Sequence, residues 1–599
     1  MECSGATTRM SQGVHQPARV SDEHYWRKDK TLTVRRFAAA AAAGIVLILS
    51  WRYAEIRPAA IFEPGAVAAV WAFVRGLFPP DLSPEFLRIV AAAVAQTVAI
   101  AIAGTMLSIL IGLPLGIMAT PILWRRGVLV AGEPPGASKL LLAGLSRASR
   151  ALFGFLRAVP DLVWGLLFVV AIGLGPFAGT LALAVSYSGV LGRVYADVFE
   201  DVNVHALEAV RATGASRAQV FLRAIWPQAV PGITAYTLYS LECCVRAAAV
   251  LGFIGAGGIG YEISLSMRLF DYGQVLTLIA SLVALVALTD GVSRFLRRRL
   301  HANAPAGSFA HQSTRSIRGF RRRLMRHESA RHWAFNLIIV LAVAWSFYAT
   351  DLFDITRADS GVLTRVFRFV GGMFPPDLSP EFLRSLFVPL LQTIGISVIG
   401  TLIGIAIGVV LALPATSTLT LGDDADAGKS SRLGRIARWL IYLSARLTLN
   451  VLRSIPELVW VLVCILTVGL GPYAGTLAIG IHTGGVLGKL YAETLEEVSP
   501  RPVEALRANG ARRLQILLWG MWPQARPTLV SYTVLRWEMN LRVSTILGLV
   551  GGGGLGQAIY NNVQLGFYSR TAVLIAVIYA LVMTTDWLGD RLRTRRHAV

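Results

Sequence analysis

A chain of 599 residues that is 54% hydrophobic, only 15% charged and +0.58 in mean hydropathy is no ordinary soluble domain; its apolar runs point to a bilayer as solvent. The formal net charge of +22 invites a nucleic-acid reading. Yet the basic residues gather in short clusters between apolar runs, the pattern of a cytoplasmic topology signal and of contact with anionic lipid.

A basic tail, residues 1–36, opens the chain and is too long for a signal peptide. Apolar runs of about 20 residues, enough for a helix to cross a bilayer, follow near 37–53, 90–119, 150–172, 177–199, 231–254 and 273–295. Before the second run stands FPPDLSPEFLR (78–88). Ser83 there is placed as a helix N-cap, Pro84 at the first helical position and Glu85 in the first turn. A basic linker, 297–332, leads to a second series near 333–349, 386–415, 446–468, 473–495, 527–550 and 569–591, and a tail at 593–599.

The second series repeats the first at an offset of 296 positions. FPPDLSPEFLR returns unchanged at 374–384, with Ser379, Pro380 and Glu381 in the same places. RAVPDLVW (157–164) faces RSIPELVW (453–460), GLGPFAGTLA (173–182) faces GLGPYAGTLA (469–478), and GVLGRVYAD (189–197) faces GVLGKLYAE (485–493). So long a period marks a duplicated and fused unit, not a solenoid. The expectation is an all-α polytopic membrane protein of twelve transmembrane helices: two tandem six-helix halves, 37–296 and 333–592, about a pseudo-twofold axis. An even number of spans per half puts both tails and the linker on the cytoplasmic side. Asp290 and Asp586, near the ends of the last spans, leave that boundary soft.

Several patterns carry no chemistry. GAGGIG (255–260) and GGGGLG (551–556) match the dinucleotide fingerprint, but that motif needs a strand before it and a βαβ unit around it. Here Gly255, Gly257, Gly258 and Gly260, and likewise Gly551, Gly553, Gly554 and Gly556, follow an apolar span. They allow close approach of the halves, as an outer gate or simply as a tight turn. GDDADAGKSS (422–431) has five residues where a P-loop has four, and three aspartates among them. Cys3, Cys243, Cys244 and Cys464 supply neither a disulfide framework nor a metal site. No catalytic constellation and no ATP site are found, so no cofactor is expected on this chain.

The loop between the fourth and fifth spans is more specific. It reads EAVRATGASRAQVFLRAIWPQAVP (208–231) and EALRANGARRLQILLWGMWPQARP (504–527). Glycine follows the glutamate by six and proline by nineteen in both, which describes two short helices turned at the glycine and a proline starting the next helix. This element resembles the EAA loop of ABC-importer permeases, with Glu208, Ala209, Gly214 and Pro227 matching it, as do Glu504, Ala505, Gly510 and Pro523. Val210 and Leu506 depart from its second alanine, and Trp226 and Trp522 from its leucine. With FPPDLSP, RxxP[DE]LVW and GLGP[FY]AGTLA, each half resembles a phosphonate-type permease (the PhnE family), over about 70–295 and 366–591.

That resemblance implies a fused type I importer permease for phosphonates, phosphate or phosphite. It also implies two cytosolic ATP-binding subunits holding ATP and Mg, an extracytoplasmic solute-binding protein, and a prokaryotic plasma or inner membrane with both termini cytoplasmic. No second permease chain would be needed. The rivals are a methionine- or osmolyte-type ABC permease, an ion-coupled secondary transporter, for which paired ATPase docks would be useless, and a membrane receptor or scaffold.

Charges inside the spans complete the reading. Glu242 and Arg246, and Glu538 and Arg542, stand four apart in the order that favours a helical ion pair. Either the arginines line the translocation pathway and attract the substrate's oxygens, or the pairs fix helix orientation. Asp161 and Glu457 follow prolines in the third span, beside an expected kink, and suit a structural or gating role; His482 replaces Ser186 across the repeat.

Overall fold

The computed structural model describes residues 30–120, 136–301, 329–352, 360–422 and 432–594. Most of the expected basic tails and linker, Cys3, and all but the first residue of GDDADAGKSS lie outside the described residues. Those that are described form helices joined by turns, with no strand among them.

The first half contributes α1 (Lys30–Tyr53), α2 (Pro64–Gly76), α3 (Pro84–Ala119), α4 (Gly136–Ala158) and α5 (Asp161–Ile172), then α6 (Pro176–Glu200), α7 (Val204–Ala212), α8 (Trp226–Leu251), α9 (Gly258–Arg268) and α10 (Tyr272–His301). The second contributes α11 (Ser329–Ala349), α12 (Ser360–Gly372), α13 (Phe387–Ala415), α14 (Arg432–Ser454) and α15 (Glu457–Val468), then α16 (Pro472–Glu496), α17 (Pro500–Ala508), α18 (Trp522–Leu547), α19 (Gly554–Gln564) and α20 (Tyr568–Thr594). Each helix of the first half thus has its counterpart ten numbers later. Residues 1–49 form a small unit of their own, described only from residue 30 as the larger part of α1; residues 50–599 form the other.

Among the described residues, six helices are long and apolar enough to cross a membrane, nine if each of three bent pairs is one span. The apolar stretches Gly44–Tyr53 and Asn336–Ala349 are shorter. α16 is not among the nine, because His482, Lys489 and its glycines dilute the apolar run.

The third span of each half, expected near 150–172 and 446–468 with a kink at its proline, is broken there into two helices. It bends by 86° between α4 and α5 and by 95° between α14 and α15. Pro160 and Pro456 have no N–H to donate and push the residue before them out of helical geometry. The indole of Trp164 then donates to the Leu156 carbonyl at 3.3 Å, and that of Trp460 to Leu452 at 3.2 Å.

Within each half, α3 packs on α6 and α13 on α16 through small residues, as membrane helices do when backbones approach closely. A Cβ on Gly408 would lie 3.0 Å from the Gly488 nitrogen. Between halves the peripheral helices are exchanged. α2 packs on α15, α12 on α5 and α11 on α3, while residues 50–54 lie against Gly395. Phe155 and Tyr579 meet across the same boundary, ring centroids 5.5 Å apart.

Candidate functional site

The coupling element is built as an anchored knob. Asn203 caps α7 by accepting from the His205 N–H at 3.0 Å, and Gly214 turns the chain at φ 76°, a conformation that strains any residue with a Cβ. Gly510 does the same at φ 75° after α17. One side of the knob is buried: Leu207, Val220, Ala224 and Ile225 pack with Tyr195 and Phe199 of α6. The other side, Glu208, Ala209 and Gly214, is exposed, as are Glu504, Ala505 and Gly510. Burying Leu207, Val220 and Ile225 stabilises the knob by about 1.5–3 kcal/mol per side chain, enough to fix it to the membrane body. The second short helix does not end at the proline, however. From Ala218 the chain runs continuously into α8, with a π-helical stretch at Phe221–Ile225 just before Pro227. Pro523 sits likewise behind Ile516–Met521.

The glycine runs fold as tight turns at the opposite end of α8 and α18. Gly255 and Gly551 both take φ 96°, and their carbonyls accept from the N–H groups of Gly175 and Gly471 at 3.0 Å. Gln96 and Thr97 of α3 accept from the first N–H groups of α9, at 2.6 and 2.9 Å. Gln392 and Thr393 repeat this for α19 at 3.2 and 2.9 Å. The repeated FPPDLSP phrase closes the same end: the Asp81 N–H donates to the Gly273 carbonyl and the Asp377 N–H to Ser569. Ser83 caps α3, accepting from the Phe86 N–H at 3.4 Å. Ser379 makes no such cap; in both copies the aspartate carboxylate takes the serine N–H, Asp81 from Ser83 at 2.9 Å and Asp377 from Ser379 at 3.0 Å. Hydrogen bonds from Ser379, with the Arg570 guanidinium, pull the Asp377 carboxyl down to about 2.

The interior charges form three groups. Arg246 pairs with Glu242 at 3.1 Å, as the spacing predicts, and Arg297 reaches the same carboxylate at 3.5 Å. Arg542 lies 3.4 Å from Glu538 but only 2.5 Å from Asp586, which also takes Arg157 of the first half at 3.3 Å. The Arg246 side chain is 48% exposed and that of Arg542 25%, so the two equivalent arginines are unequally available.

The third group joins Glu457, His482 and Arg536. His482 Nε2 is 3.1 Å and Arg536 Nη2 3.2 Å from Glu457 Oε1. His482 Nδ1 faces the Ile455 carbonyl at 3.0 Å, and a carbonyl only accepts, so Nδ1 carries its proton. A contact of 3.1 Å between Nε2 and a carboxylate then requires a second proton between them. In the first half Asp161 accepts from the Ser186 hydroxyl, at 3.0 Å, and a serine, Ser240, stands in the place of Arg536.

Sequence reasoning found Glu242, Arg246, Glu538, Arg542, Asp161 and Glu457 but missed Arg157, Arg297 and Arg536 as partners. The i, i+4 spacing exposes only contacts within one helix. Arg157 was visible as the first letter of RAVPDLVW, with nothing to connect it to a residue 429 positions away.

The chain matches the family model "Binding-protein-dependent transport system inner membrane component" twice, over residues 141–302 and 429–597. It is 30% identical over 88% of its own length, and 88% of the relative's, to the phosphate-import permease protein PhnE of Mycolicibacterium smegmatis. It is 34% identical to the phosphite transport system permease protein PtxC of Stutzerimonas stutzeri, over 43% of this chain and 85% of that one. Among solved structures, a chain of the MetNI methionine ABC transporter in an inward-facing conformation aligns at 25% identity and TM-score 0.32, covering 37% of this chain and 99% of that one. An all-helical, multi-pass architecture, written twice with a knob in each half, meets those matches: the chain belongs to the binding-protein-dependent transport system inner membrane components and carries two of these permease units in one polypeptide.

Proposed function

We propose that the chain is the complete transmembrane permease of an ATP-driven importer for phosphorus oxyanions: phosphate, phosphite or phosphonates. The observation that carries this is the match along 88% of both chains to a phosphate-import permease, supported by likeness to a phosphite permease over each relative's greater part. Two ATP-binding subunits dock on the exposed Glu208–Gly214 and Glu504–Gly510 faces, bind ATP and Mg, and do the hydrolysis; this chain contributes no ATPase site. Their closure pulls α7 and α17, and the continuous helices from each knob into α8 and α18 carry the pull into the membrane. A solute-binding protein delivers the anion at the opposite face, where the turns at Gly255–Gly260 and Gly551–Gly556 form the outer gate. Arg246 and Arg542 line the pathway, oriented by Glu242 and Glu538. The basic clusters of the sequence favour a cytoplasmic knob side and cytoplasmic termini.

The test is growth of a strain lacking the protein on methylphosphonate, phosphite or low phosphate as single phosphorus source. Complementation by the wild type but not by Gly214→Val/Gly510→Val is the expected result. Normal growth of the deletion strain on all three, with no redundant transporter present, removes the substrate assignment.

A further inference from the structure

Asp586 lies 18 residues into α20, roughly 27 Å along the helix, near the knob-side edge of a hydrocarbon core about 30 Å thick. Its two oxygens are divided between the halves. Oδ2 accepts from Arg157 Nη2 at 3.3 Å and Oδ1 from Arg542 Nη2 at 2.5 Å. Arg157 belongs to the first half, at the end of α4 just before the bend; Arg542 and Asp586 belong to the second. The equivalent bridge on the other side is not made. Arg453 turns to Asn450 of its own helix at 3.2 Å, and Asp290 Oδ1 is buried without a hydrogen-bond partner. Arg542 Nε is also buried without an acceptor. Two cations, Arg157 and Arg542, therefore share two carboxylates, Glu538 and Asp586.

Resting on the oxyanion reading above, we propose that Arg157 and Arg542 form an anion clasp, one guanidinium from each half, which the Asp586 carboxylate occupies in this structure and the transported oxyanion occupies when the halves part. A carboxylate presenting one oxygen to each of two guanidinium groups is the arrangement a phosphoryl or phosphonyl group reproduces, with a further oxygen for the unused Arg542 Nε. Parting α4 from α20 takes Asp586 away from Arg157 and leaves a cation unpaired in a poorly solvated place. An arriving oxyanion satisfies it. Because the anion binds the parted state better than the closed one, it shifts the equilibrium toward parting. When Asp586 returns it competes for the same donors and expels the cargo.

The experiment uses the full chain with its ATP-binding subunits and binding protein in proteoliposomes, reading ATP-dependent uptake of radiolabelled phosphate and of methylphosphonate. Intact complex recovered after detergent extraction is the control for assembly. Arg157→Gln should lower uptake roughly tenfold or more. The deciding variant is Arg157→Gln/Asp586→Asn, which removes both charges and leaves Arg542 paired with Glu538. If Arg157 serves the anion, the double variant assembles and remains as defective as the single one. Recovery of uptake in the double variant overturns the clasp, since Arg157 would then matter only as the partner of Asp586, and leaves the substrate reading standing. A wild type that assembles but takes up neither anion sinks the substrate reading, and the clasp with it.

Discussion

At the bend of the third span the first half sets Asp161 against a serine hydroxyl, while the second sets Glu457 against His482 and Arg536. The backbone is the same in both, with proline, acid and a tryptophan indole closing the broken turn. One level along, Asn540 joins Thr483 and Thr401 by hydrogen bonds of 3.0 and 2.8 Å, where the first half has Cys244, Tyr187 and Thr105. Duplication preserved what the fold needs. The polar interior diverged, so that one half sets a charged trio at its bend and the other an acid with a hydroxyl. Two copies freed from identity can serve one asymmetric passage.

Breaking this comparison should be most costly in the second half. Arg536→Gln leaves Glu457 short of a partner and should destabilise the complex by about 3–5 kcal/mol, whereas Ser186→Ala in the first half should cost about 1 kcal/mol. Thermal unfolding in one detergent compares the two, and equal effects would mean that the charged trio has no special structural weight. Asn540→Ala strands two threonine hydroxyls and should cost about 1–3 kcal/mol; Cys244→Ala removes a small apolar contact and should cost less.

The knobs should behave alike, which sharpens the contrast. Gly214→Val and Gly510→Val each force a β-branched residue into left-handed backbone, at about 1–2 kcal/mol, and each should reduce ATP-dependent uptake. A defect confined to one would show that the ATPase grips the halves unequally.

The smallest effect belongs to the turns at the far face. The Asp377 carboxyl is held at about 2 by hydrogen bonds from Ser379 and by Arg570, and Asp81 is lowered through Ser83. A depressed carboxylate contributes stability that is present above its unfolded value and is lost as pH falls through the folded one. Melting curves from pH 7 to 4 should therefore show little change from Asp377. Asp377→Asn should lower the melting temperature by about 1 °C at pH 7 and by less near pH 2.

The two-half plan, the knobs and the Glu–Arg pairs were legible because repetition and helical periodicity are written along the chain. The bends at Pro160 and Pro456 were legible as kinks from the prolines, but not their size: hydropathy runs straight through RAVPDLVW and RSIPELVW, and nothing along the chain gives the angle. Contacts such as Arg157–Asp586 escaped for a different reason, since a pairing over 429 positions is decided by how the halves meet.

The exchange of peripheral helices has a consequence for how the protein is made. α2 leaves the ribosome long before α15, the helix on which it rests, and the interval is some 380 residues of chain. At about 5–20 residues per second, α2 waits on the order of twenty to eighty seconds beside lipid or an insertion chaperone. The first half cannot finish packing until the second has been synthesised, so a truncated chain should be recognised by membrane quality control as an unfinished product.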